Sequence, residues 1–156
     1  MGLKKVNTSV VVSPDGEVLE QAVNSTDIKW EYAEPFVSYY IENMKWRQEV
    51  RGGSVITLFM DLADLLPFES NVVSVSSTQR REIMARVGGE AGFYRALKFL
   101  EGKRAVMSLG WRDPSTNKIH RSRGEYMLNP TMVWRGKSAE REKELEKFQQ
   151  RLKQGY

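Results

Sequence analysis

The strongest constraint on this chain lies between residues 76 and 130, where two short helical patterns, a glycine pair and a basic hairpin follow one another. Ser76, Ser77 and Thr78 offer capping hydroxyls, and Gln79 stands three residues after Ser76. That is the capping-box spacing, in which two helix-start amides are satisfied reciprocally. Ile83 and Val87 then fall four residues apart on one apolar face with Met84 beside them, leaving Arg80, Arg81 and Glu82 outward. Gly88 and Gly89 stop this helix, since glycine commonly follows a helix end. In the second helix Phe93, Ala96, Leu97 and Leu100 line one side, while Tyr94, Arg95, Lys98 and Glu101 fall elsewhere. Residues 104–111 and 119–128 read as strands around the turn Asp-Pro-Ser-Thr-Asn-Lys. Arg112, Lys118, His120, Arg121 and Arg123 sit at or near the hairpin's tip. The pattern predicts a winged helix-turn-helix.

Charge follows the same map. Residues 1–76 hold 6 Lys/Arg against 11 Asp/Glu, whereas residues 77–136 hold 12 against 5. The last twenty hold 6 against 4. Positive charge concentrated on the helix-turn-helix segment is the footprint of a phosphate-binding surface. The chain has no cysteine, which excludes disulfides, thiolate nucleophiles and cysteine-ligated zinc. Its start lacks the apolar run of a signal peptide, and no stretch reaches the length of a membrane span. A cytoplasmic protein without a membrane partner is expected.

The fold class expected is mainly α with small β-hairpins. A DNA-binding domain with an N-terminal hairpin would cover residues 1–136, and a charged C-terminal helix residues 137–156. Residues 8–23 read as the hairpin, turning at Pro14-Asp15-Gly16. Residues 35–50 predict a helix with Pro35 in its first turn and Phe36, Tyr40, Met44 and Trp46 or Arg47 on an apolar flank. Ser54 caps a buried helix that ends by Pro67, and residues 71–75 predict a strand that pairs with the wing. Asp61 and Asp64 share a face, but no further oxygen ligands accompany them as a metal site would need. Ser138 caps the last helix, whose apolar stripe is Leu145, Phe148 and Leu152. That stripe fits docking onto the body or a homodimer seam equally well.

The succession from Ser76 through Val106, then a hairpin, then Gly-Glu-Tyr-Met-Leu-Asn-Pro at residues 124–130 and Arg135-Gly136-Lys137, resembles the RepL family of plasmid replication proteins. The early Pro-Asp-Gly-Glu-Val-Leu-Glu segment at residues 14–20 fits the same pattern. The resemblance implies a winged-helix protein that binds double-stranded DNA in plasmid or phage replication, with host replication proteins as further partners. Transcriptional control of a plasmid or phage operon rests on the same physics.

In either role the second helix enters the major groove with Tyr94, Arg95 and Lys98. Arg80 and Arg81 lie over the backbone, and Arg112, Lys118, His120, Arg121 and Arg123 of the wing meet the adjacent backbone or minor groove. No catalytic residue, cofactor or metal is expected. His120 is the only histidine, so nicking chemistry that needs a histidine pair is excluded, and a Ser-His-Asp set would have to use His120 with Asp113. No phosphate-binding loop for ATP is present. An RNA-binding or protein-interaction module is the remaining class, with Trp111 and Tyr126 as candidate aromatics that more simply cover the junction between wing and body.

Overall fold

The computed structural model describes residues 36–155 and, before them, the backbones of three short strands. The chain divides into two compact units, Met1–Phe36 and Val37–Tyr156. In the first unit β1 (Lys4–Val6), β2 (Val10–Val12) and β3 (Val18–Glu20) form an antiparallel sheet in that order. The expected hairpin is therefore present in its strands, with Val12 opposite Val18, and gains a third strand. The turn at Pro14-Asp15-Gly16 lies outside the described residues.

The second unit runs β4 (Ser38–Tyr39), two 3-10 turns, α1 (Ser54–Asp64), β5 (Val72–Ser74), α2 (Ser77–Arg86), α3 (Gly89–Gly102), β6 (Val106–Arg112), β7 (Ile119–Leu128), β8 (Val133–Trp134) and α4 (Ser138–Gln154). With four helices and three antiparallel sheets among the described residues, the architecture is mixed α and β rather than mainly α. The difference comes from β1, β4 and β8, which add to the expected strands, while β7, ten residues long, is hydrogen-bonded on both sides in the order β5-β7-β6.

Alternation along the central strand separates two apolar layers. Tyr126 and Leu128 join the core with Val73, Val75 and Val106, against α1 (Leu58, Phe59, Leu62), α2 (Ile83) and α3 (Phe93, Ala96, Leu97, Leu100). Met127, between them in sequence, is buried outside that cluster, as are Trp134 and Phe148. A surface groove shared by Ser70, Val72 and Met127 with Glu144, Lys147, Gln150, Arg151 and Gln154 shows that α4 runs alongside this part of the sheet. Phe148 is 1% exposed, so the middle of the C-terminal stripe is buried within the chain. Trp134 Nε1 also donates to the Lys137 carbonyl at 3.1 Å, and the Arg141 guanidinium lies 3.9 Å from the Tyr40 ring. These contacts place α4 within the second compact unit. The first residue of α4 is Ser138, and Lys137 occupies the cap position without a side-chain bond.

The helix predicted over residues 35–50 does not form. In its place β4 pairs with β8, Ser38 opposite Trp134 and Tyr39 opposite Val133, and two 3-10 turns follow at Ile41–Asn43 and Lys45–Glu49. Tertiary partners override the local pattern. Tyr40 N donates to Met132 O at 2.8 Å, Asn43 Nδ2 to Thr131 O at 2.7 Å, and Trp46 Nε1 to Met132 Sδ at 3.4 Å. Met44 and Trp46, two residues apart, are both buried, which one face of an α-helix does not allow. Trp46 meets Phe59 edge-on at 5.4 Å and Phe99 at 6.3 Å, joining this segment to α1 and α3. Phe36, expected on the same flank, is exposed.

Candidate nucleic-acid interface

The local geometry of α2 and α3 follows from the sequence nearly residue by residue. Ser76 Oγ accepts from Gln79 N at 3.2 Å, and Gln79 Oε1 accepts from Ser76 N at 2.9 Å, closing the capping box. Gly88 and Gly89 take φ of +90° and +82°, and this left-handed pair turns the chain from α2 into α3. Burying Phe93, Ala96, Leu97 and Leu100 forces Tyr94, Arg95 and Lys98 onto the exposed arc of α3.

The hairpin is held over α3 by a break in its own register. Ser108 faces Tyr126, but Gly110 faces Arg121, so two residues of β6 span the same length as five of β7. The extra residues of β7 form a bulge that bends the distal hairpin. The bulge is anchored at three points: Val75 N donates to Gly124 O at 2.7 Å, Arg80 Nη1 to Arg123 O at 3.1 Å, and Tyr126 Oη to Arg123 O at 3.3 Å. Burial pushes the Tyr126 hydroxyl above its ordinary pKa, with Arg80 opposing, so it remains a donor at neutral pH. Further along, Asn129 Nδ2 donates to Arg104 O at 2.9 Å, and Asn129 Oδ1 accepts from Thr131 N at 2.9 Å. The Gly-Glu-Tyr-Met-Leu-Asn-Pro segment thus fastens the hairpin to the end of α3.

Between α3 and the bulge lies a groove of about 570 Å³ lined by Tyr94, Leu97, Lys98, Glu101, Ser108, Arg121, Ser122, Arg123 and Tyr126. Of the ten residues picked out in the sequence, the fold brings Tyr94, Lys98, Arg121 and Arg123 together here. Arg95 lines a separate hollow with Arg51, Ser54, Gly88 and Gly92. Arg81 is exposed on α2, and Arg80 spends part of its guanidinium on the Arg123 carbonyl. Arg112, Lys118 and His120 stay on the distal hairpin: Arg112 Nη1 donates to Asn117 Oδ1 at 2.8 Å, and His120 stacks on Trp111.

Glu101 is the groove residue that sequence reasoning placed on α3 without a role. Its Oε1 accepts from Ser108 Oγ at 2.6 Å and Ser108 N at 3.2 Å, and lies 3.4 Å from Arg121 Nη1. The Arg121 side chain is 60% exposed, so this ion pair is weak and easily exchanged for another anion. The groove therefore presents three cations around one carboxylate. Only knowledge of strand register could have located Glu101 there, because Arg121 reaches it from β7, across the hairpin.

The fold also places Trp111, Tyr126 and Asp113. Trp111 does not cover the junction with the body: it is 57% exposed, whereas Tyr126 is 2% exposed. Asp113 uses Oδ1 for Ser115 and Oδ2 for Thr116, at 2.7–2.9 Å, rather than orienting His120. Among the described residues no group of three or more Asp, Glu or His is placed to hold a metal ion, and no helix is long and apolar enough to cross a membrane. Asp61 instead pairs with Arg86 at 2.9 Å. No protein-family model, no curated protein and no solved structure matches the chain.

Proposed function

We propose that residues 37–136 form a winged helix-turn-helix that binds double-stranded DNA in plasmid or phage replication initiation or maintenance. In this reading α1, α2 and α3 are the helical core, α3 is the recognition helix, and the β6–β7 hairpin is the wing. The order helix, strand, helix, helix, hairpin, with the first strand pairing to the last, supports the assignment. The observation that carries it is the groove in which Lys98 of α3 and Arg121 and Arg123 of the hairpin converge, since a duplex laid along α3 would bring phosphates within reach of both elements. Tyr94 reaches base edges, Lys98 the phosphates over the groove, Arg95 and Arg81 flanking phosphates, and Lys118 the backbone beyond the wing. The replication role rests on the resemblance to RepL proteins, and a transcriptional regulator would use the same surface.

Selection of genomic and plasmid fragments by the purified protein, followed by sequencing, tests the reading. One repeated site beside a plasmid or phage origin is the expected result, and enrichment at promoters would replace replication by transcriptional control. On the selected duplex, the Lys98→Ala, Arg121→Ala, Arg123→Ala triple variant should lower the salt slope of log affinity by about 0.9 for each phosphate that is no longer neutralised. An unchanged slope on a folded variant would remove the groove from the interface.

A further inference from the structure

The distal hairpin carries an aromatic pair that core packing does not explain. Trp111 is 57% exposed, while Trp46 and Trp134 are 4% and 2% exposed. His120, its partner across the ladder, stacks on it with ring centroids 4.7 Å apart and planes inclined by 17°. Leaving an indole in water is unfavourable, and interiors normally take it up. The support beneath the pair is ordered: Gly110, Trp111 and Arg112 pair in unbroken register with Arg121, His120 and Ile119. The turn beyond is fixed by Asp113, which binds Ser115 and Thr116 and whose carbonyl accepts from Asn117 N at 2.8 Å. Strand alternation sets Trp111 and His120 on the face opposite Arg121, which reaches toward Glu101. Lys118, two residues before His120, is exposed, and its carbonyl accepts from Asp113 N at 2.9 Å.

We propose that the Trp111–His120 pair is a stacking platform for an unpaired nucleobase, so that the hairpin holds single-stranded DNA on its face away from the duplex-binding groove. A flat aromatic surface on a hairpin that also carries Lys118, Arg121 and Arg123 matches a strand whose bases stack and whose phosphates need cations. Paired bases hide their faces inside the duplex, so the platform engages DNA only where strands have separated or a base is extruded. Its relation to a bound duplex rests on the duplex reading, but its ligand does not. An acidic peptide would satisfy the cations and leave the indole in water.

The test compares oligothymidylate with an abasic strand of equal length and phosphate number, at one salt concentration, using the full-length protein. The wild type should bind oligothymidylate about tenfold more tightly than the abasic strand, the scale of one stacked base. Trp111→Ala should abolish that preference while leaving abasic binding unchanged, and Trp111→Phe should keep most of it. Because Trp111 is exposed, the alanine variant has little core packing to lose, and an unchanged thermal melt checks this. Equal wild-type affinity for the two strands, or an equal loss on both in Trp111→Ala, would overturn the proposal. Oligouridylate bound about tenfold more tightly than oligothymidylate would overturn the DNA assignment in favour of RNA. A closed dumbbell duplex run in parallel separates the two readings. Wild-type protein that keeps the base preference but does not bind the dumbbell sinks the groove alone, and wild-type protein that binds the dumbbell without a base preference sinks the platform alone.

Discussion

Replacing Gly92 by alanine sets two known effects against each other at the joint that aims α3. Alanine is favoured over glycine in a helix interior by about 0.8–1 kcal/mol. A Cβ at Gly92, however, would lie under 3.0 Å from the Val87 carbonyl oxygen and 3.1 Å from its carbon. Carbon–oxygen contacts are comfortable only at about 3.3–3.6 Å, so the turn between α2 and α3 must open. The Cβ position is fixed by the backbone and the carbonyl is backbone itself, so no rotamer can relieve the clash; overpacking of this kind costs about 1–3 kcal/mol or more. The steric term outweighs propensity, and the expected net loss is about 1–2 kcal/mol. For a unit of this size that corresponds to a fall in Tm of roughly 4–8 °C. Gly102 provides the control: it ends the same helix and nothing lies within 4 Å of its added Cβ. Thermal and urea denaturation of Gly92→Ala and Gly102→Ala should show a clear loss for the first and near-neutrality for the second. A Gly92→Ala protein that melts at or above the wild-type temperature would refute the steric reasoning. Duplex affinity should fall with it, since α3 and the hairpin no longer share one groove.

Three other outcomes follow from the same geometry. Phe148→Ala removes a side chain that is 1% exposed and should cost about 3–5 kcal/mol; a loss below about 1 kcal/mol would mean that α4 is not part of the folded unit. Glu101→Gln keeps an oxygen for Ser108 while removing the negative charge beside Arg121. Duplex affinity at low salt should rise several-fold and the gain should shrink as salt is added, and unchanged affinity would count against the groove as the phosphate site. Hydrogen bonds from Ser115, then Thr116, hold the Asp113 carboxyl below its ordinary pKa of 3.8. A depressed folded value means the turn is fully supported above 3.8 and loses that support as pH falls through the lower folded value. The amide resonances of Ser115 and Thr116 should therefore titrate with a midpoint below 3.8, and a midpoint at or above it would refute the assignment.

How far these elements were legible depends on the range of the interactions that define them. The capping box at Ser76 and Gln79, the glycine turn and the buried positions of α3 are decided within a few residues, and each stands where the pattern put it. The strand at Val72–Ser74 was legible for a related reason, a β-branched run between polar residues. The segment before α1 was not. Its spacing fits a helix, but Trp46 is drawn between Phe59 and Phe99, and Tyr40 is tied to Met132.

The sequence by itself determined the two helices of the central motif, the basic hairpin, its turn and the segregation of positive charge, because capping, periodicity and glycine conformation are local properties. Only the tertiary structure decided that Lys98, Arg121 and Arg123 share a groove with Glu101 while Arg95 faces another hollow. It also decided that Phe148 is buried and Trp111 exposed. Those outcomes depend on a bulge in β7 and on which face of the sheet each residue meets. Both are fixed by strand register and packing between elements far apart in the chain, where one-residue shifts exchange inside for outside.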